Sequence, residues 1–173
     1  MQEDIQKLFD RMCDPKESDA YYFADKLGSL ANEEAKDKLI ELVKGDNWEL
    51  AYLACRALSK TRFQKEGLDV IFETIFDKKN KSVQGAFVQI LEAFDLSNRF
   101  VEIFKVFLFG NYKASTLAKV YLDEVEFDIT SRTIRKAEKH WNHYLHNPED
   151  EESVAVKKME VEPMLQEMRE LFS

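Results

Sequence analysis

Apolar residues recur along this chain at steps of three and four, the period of one helix face. The first stripes are Ile5/Leu8/Phe9/Met12, Ala20/Phe23/Ala24/Leu27/Leu30, Ala35/Leu39/Leu42/Val43 and Leu50/Leu53/Ala54/Ala57/Leu58. Leu68/Ile71/Phe72/Ile75, Val83/Phe87/Ile90/Leu91/Phe94 and Phe100/Ile103/Phe104/Phe107 follow. Leu117/Ala118/Tyr121/Val125, Ile134/Ala137/Trp141/Tyr144 and Val161/Leu165/Met168/Leu171 complete a series that predicts ten helices. No stretch alternates with period two for long enough to predict a strand.

The breaks carry end signals. Asn32, Asp46, Asn80, Ser97 and Asn111 stand where a side-chain oxygen would cap a helix N-terminus. Gly45 and Gly110 stand just before a cap, where a left-handed residue is useful. Connections this short predict antiparallel neighbours. Pro163 is expected to kink or restart the last helix.

The helices also repeat in pairs. Leu50–Leu58 aligns on Ala20–Gly28 before it and on Val83–Leu91 and Ala114–Leu122 after it. A spacing of about 30 to 34 residues is the mark of an α-solenoid. The small-residue slot holds Ala24, Ala54 and Ala118, but Phe87 in the third copy. Asp46-Asn47-Trp48-Glu49-Leu50-Ala51-Tyr52-Leu53-Ala54-Cys55-Arg56-Ala57-Leu58 resembles the second helix of a HEAT-like repeat, the armadillo-type family that includes bilin-lyase-like repeats. That helix opens on Asp and closes on Ala-Leu. Where the family often carries an Arg, this chain has Tyr21, Ala51, Gln84 and Ser115.

The resemblance implies an all-α fold, an α-α superhelix of about five antiparallel helix pairs with capping helices at its ends. It implies one domain over residues 1–173: a capping helix in 1–16, repeats in 17–147, then an acidic loop and a second capping helix in 148–173.

Composition agrees with helix. Gly (5) and Pro (3) are scarce, and 13 Phe within a 45% apolar chain exclude a disordered tail. Thirty-three acids against 25 bases give a net charge of −8, which disfavours nucleic acid and mildly favours basic partners. Cys13 and Cys55 fall in different helices, with neither disulfide nor zinc spacing. The N-terminus, Met-Gln-Glu-Asp, lacks the basic and apolar regions of a secretory signal. Phe100 to Phe109, the most apolar run, is too short and too charged to span a bilayer. A cytoplasmic protein, monomeric or weakly dimeric, is expected.

Candidate chemistry is sparse. Gly-x-Gly-x-x-Gly, Walker-type and Gly-x-Ser-x-Gly sequences are absent. His140 and His143, one turn apart, are the weak candidates for a metal, and His146 follows them; the same histidines suit a helix C-terminus, and no metal or other cofactor is expected. Asp123, Glu124 and Glu126 read as a solvated surface, and Arg132, Arg135, Lys136 and Lys139 as one basic helix face.

Tyr22, Trp48 and Tyr52 are more suggestive, because they fall off the core stripes of second helices. In HEAT-like arrays second helices line the concave surface, and Tyr and Trp anchor interfaces. Lys26, Glu49, Arg56, Gln89 and Lys113 stand beside them. The resulting expectation is a non-catalytic module that binds a protein or peptide on that face. The alternatives are a HEAT-like enzyme, resembling DNA glycosylases or bilin lyases, and a small acidic immunity-type inhibitor.

Overall fold

The computed structural model describes residues 2–173, so Met1 of the N-terminal reading lies outside them. The protein is all-α, with ten α-helices and no strand among the described residues. They are α1 (Gln2–Cys13), α2 (Ala20–Leu30), α3 (Glu33–Lys44), α4 (Trp48–Ser59), α5 (Gln64–Phe76), α6 (Gln84–Ile90), α7 (Phe100–Phe109), α8 (Tyr112–Glu124), α9 (Ser131–His146) and α10 (Glu151–Glu170). Two 3-10 turns, Lys78–Val83 and Leu91–Ala93, flank α6. No helix among the described residues is long and apolar enough to cross a membrane. The chain forms two compact units, one ending at Asp95 and the other beginning at Leu96.

In the first unit α1 packs on α2, α3 on α4 and α5 on α6. Across these pairs α2 packs on α4, α4 on α6 and α3 on α5. Lys36 ties α3 to α5 through Glu66 at 2.8 Å. The aligned slots are interior: Ala24, Ala54 and Phe87 are all fully buried. So are Leu27, Leu39, Leu58, Ile71, Ile75 and Leu91, whose apolar area drives the unit together.

Helix ends follow side-chain chemistry more closely than sequence spacing. Asn32 and Asn111 accept from Ala35 N and Ala114 N, as expected of N-caps. Asn47, not Asp46, caps α4; Asp46 pairs instead with Lys79 at 3.0 Å. Asn80 is buried in a 3-10 turn, where its Nδ2 donates to Thr74 O at 3.0 Å. Ser97 does not cap α7, which starts at Phe100; its carbonyl accepts from Asp128 N. Gly45 and Gly110 are extended (φ −71° and −70°), not left-handed. At Gly110 the requirement is spatial: a Cβ there would lie 2.6 Å from Val106 O.

In the second unit α7 packs on α8 and α9, and α9 packs on α10. Trp141 and Tyr144 point inward from α9 and stack at 5.7 Å. Asp150 caps α10, and Glu151 and Glu152, expected in a loop, occupy its first turn, where the helix dipole favours acids. Pro163 does not restart α10, which runs unbroken around it. Pro163 and Met159, four residues back, are both exposed, so water can reach the carbonyl that proline leaves unbonded.

A polar node joins α7, α8 and α10. The Phe107 carbonyl lies in the last turn of α7, where helical partners run out. It accepts from Ser115 Oγ at 2.6 Å and from Lys157 Nζ at 2.5 Å. The same ammonium donates to Ser115 Oγ at 3.0 Å and lies over the Phe107 ring at 4.5 Å. Burial depresses the Lys157 pKa from the ordinary lysine range, with Glu149 pulling weakly the other way. Where the native pKa is the lower one, the unfolded chain holds the proton longer, so stability at this site rises with pH through that window. Lys157→Met keeps the stem volume, and Ser115 still serves the carbonyl. The variant is expected to lose about 1 kcal/mol at neutral pH. Urea unfolding at several pH values should show the wild type gaining on the variant as pH rises into the alkaline range. A gap that narrows instead would contradict the burial account.

A candidate binding face on α2 and α4

Gly28 sets the spacing of α2 and α4. A Cβ at this position would lie 2.2 Å from Ala57 O and 2.8 Å from Lys60 Cβ, so the two backbones touch where α2 has no side chain. The approach fixes a register. Tyr21 faces Tyr52, ring centroids 6.2 Å apart, and one turn further along both helices Asp25 faces Arg56. Two such pairs in the same order mean that α2 and α4 run parallel.

Arg56 bridges the helices as a fork. Its Nε donates to Asp25 Oδ1 and its Nη2 to Asp25 Oδ2, both at 2.8 Å. Its guanidinium carbon lies 4.8 Å over the Tyr21 ring. The hydrogen bonds that Arg56 donates to Asp25 are the main cause holding its guanidinium in the charged form. Burial pushes the Tyr52 hydroxyl above the usual tyrosine range, Tyr21 adds to this, and Arg56 opposes it. Tyr22 and Lys26 form a second pair on α2, ammonium to ring 5.8 Å. Trp48, the first residue of α4, is 43% exposed, and Tyr22 57%.

The expected residues therefore divide. Tyr22, Lys26, Trp48, Glu49, Tyr52 and Arg56 lie on α2 and α4. Gln89 is exposed on α6, the next helix against α4. Lys113 is exposed on α8, in the second unit. Tyr21 and Asp25 were not among the expected residues, yet they hold Tyr52 and Arg56 in place. Their signal was an acid and a base 31 residues apart on neighbouring helices, with an aromatic one turn before each.

The histidine run of α9 is arranged differently. His140 is half-buried; burial lowers its pKa most, and Lys105 and Lys139 lower it further. Cations this near also oppose a metal ion. His143 lies 5.8 Å from the Phe109 ring, and His146 Nδ1 donates to Asn142 O at 2.7 Å. Among the described residues no three His, Cys, Asp or Glu side chains gather as a metal ligand set. Compared with known proteins, the chain matches no family model, no curated protein and no solved structure.

Proposed function

We propose that this protein is a helical-repeat interaction module of HEAT-like, solenoid type, and that it binds a protein or peptide across α2 and α4. The repeat reading is supported by the parallel register of α2 and α4 and by packing that skips from α2 to α4 to α6 and from α3 to α5. The observation that carries the binding reading is the set of exposed aromatics. Tyr21, Tyr22 and Trp48 are large and exposed on adjoining helices, and Tyr21 lies against a guanidinium already fixed in place. Tyr, Trp and Arg dominate the energetics of protein interfaces, and pre-ordered side chains lose less entropy on binding.

The test is capture from native lysate with the full chain as bait. A Tyr22→Ala, Trp48→Ala, Tyr52→Ala variant of equal helicity serves as one control and Tyr112→Ala, on α8, as the other. One protein identified by mass spectrometry is expected with wild type and Tyr112→Ala and is expected to be lost, by about tenfold or more, with the triple variant. Equal capture by all three baits would remove α2 and α4 as the binding face.

A further inference from the structure

The chemistry of Arg56 says what kind of partner fits this face. A guanidinium has five N–H donors in one plane. Asp25 takes the side edge, Nε and Nη2, and Tyr21 covers one face of the plane. The end edge, Nη1 with the second Nη2 hydrogen, remains. Nη1 makes no hydrogen bond to the described residues. No buried side-chain nitrogen or oxygen among them lacks a partner, so Nη1 opens to solvent. The group is thus held in plane and direction by Asp25 and Tyr21 with Nη1 reaching solvent, and the guanidinium edge to which Nη1 belongs matches a carboxylate.

The surrounding charge agrees. Asp25 cancels Arg56. Lys26 stands over Tyr22, and Lys60, at the C-cap of α4, lies next to Gly28 of α2. The two helix C-termini here carry roughly half a negative charge each, which two lysines outweigh. Glu49 stands almost two turns from Arg56 at the opposite end of α4, and Glu92 bears on Tyr52. The lysines of this face, Lys26 and Lys60, thus stand toward its Arg56 end, and Glu49 toward its Trp48 end.

We infer that the outer edge of Arg56 is a carboxylate clamp and that the α2–α4 face takes an acidic peptide, whose Asp or Glu side chain docks there while an apolar neighbour rests on the tyrosines. The inference depends on α2 and α4 forming the binding face, as proposed above.

Selection of short randomised peptides on the full-length protein tests both readings separately. Wild type is expected to enrich peptides with Asp or Glu at a fixed distance from an aromatic or aliphatic residue. For the best of them, changing that Glu to Gln should weaken binding to wild type by about tenfold, yet leave binding to Arg56→Lys nearly unchanged, because a point charge cannot replace the fork. Arg56→Lys should match wild type in helicity. If the selected peptides lose binding on Tyr52→Ala but show no acidic position, or if Glu→Gln costs the same on both proteins, the clamp is wrong and the face stands. If no peptide is selected, or Tyr52→Ala binds the selected peptides as well as wild type does, the face itself is wrong.

Discussion

Phe87→Ala is expected to destabilise the protein by about 4 kcal/mol and lower its melting temperature by roughly 8 to 16 °C. The repeat alignment argues the opposite. Phe87 occupies the slot that holds Ala24, Ala54 and Ala118, so alanine there would restore the pattern. Packing decides against the pattern. Phe87 is fully buried, and its helix, α6, has only seven residues before the chain tightens into a 3-10 turn. The shortened helix supplies less apolar surface from its length, and one large ring makes up part of the difference. The turn before it is held by Asn80 to Thr74 O and by Gln84 Nε2 to Ile75 O at 2.8 Å, so the backbone is tied on that side and poorly placed to collapse into a cavity. Total stability is only about 5 to 15 kcal/mol, so urea unfolding will resolve such a loss easily. A cost under about 1 kcal/mol would show that the site relaxes and that the slot is interchangeable.

The same contrast marks what could be read from the sequence. Apolar periodicity located every helix, because burial of one face is what makes each of them form. Asn32 and Asn111 were legible as caps because an Asn before a stripe has few other uses. Asp46 and Asn47 are adjacent and chemically alike, and only the backbone path decides that Asn47 caps while Asp46 reaches Lys79. Asn80 reads as a cap for the same reason, yet the fold consumes it on an interior carbonyl. On the candidate face, Tyr22, Trp48, Tyr52 and Arg56 were legible because each falls off a core stripe. Tyr21 and Asp25 were not, because their roles depend on helix-to-helix register. That register is set by Gly28, a residue whose significance lies in what it leaves out.

Gly28→Ala is the substitution in which fold and face should fail together. Intrinsic helix propensity favours alanine here by about 1 kcal/mol. The added Cβ would meet Ala57 O at 2.2 Å and Ala57 C at 3.0 Å, both backbone atoms that no rotamer can move aside. Overpacking against such atoms costs about 3 kcal/mol or more, so sterics outweigh propensity. A melting temperature lowered by roughly 5 to 10 °C is expected. Gly67→Ala is the control: its Cβ would meet Leu58 Cβ at 3.2 Å and nothing closer, and the change should stay within about 1 kcal/mol of wild type. The variant also makes a prediction about geometry. Relieving the clash requires α2 and α4 to part by on the order of 1 Å, which stretches the two Asp25–Arg56 bonds, now 2.8 Å, beyond hydrogen-bond range. Arg56 would then lose its fixed plane, and Tyr52 its partner Tyr21. Near-ultraviolet circular dichroism from the tyrosines should weaken at temperatures where far-ultraviolet helicity is intact, and affinity for acidic peptides should drop with it. If Gly28→Ala melts with wild type, the helices are further apart than the close approach requires. If it melts early but binds acidic peptides as well as wild type, the Arg56 fork is formed by its own partners and not by the spacing that Gly28 permits.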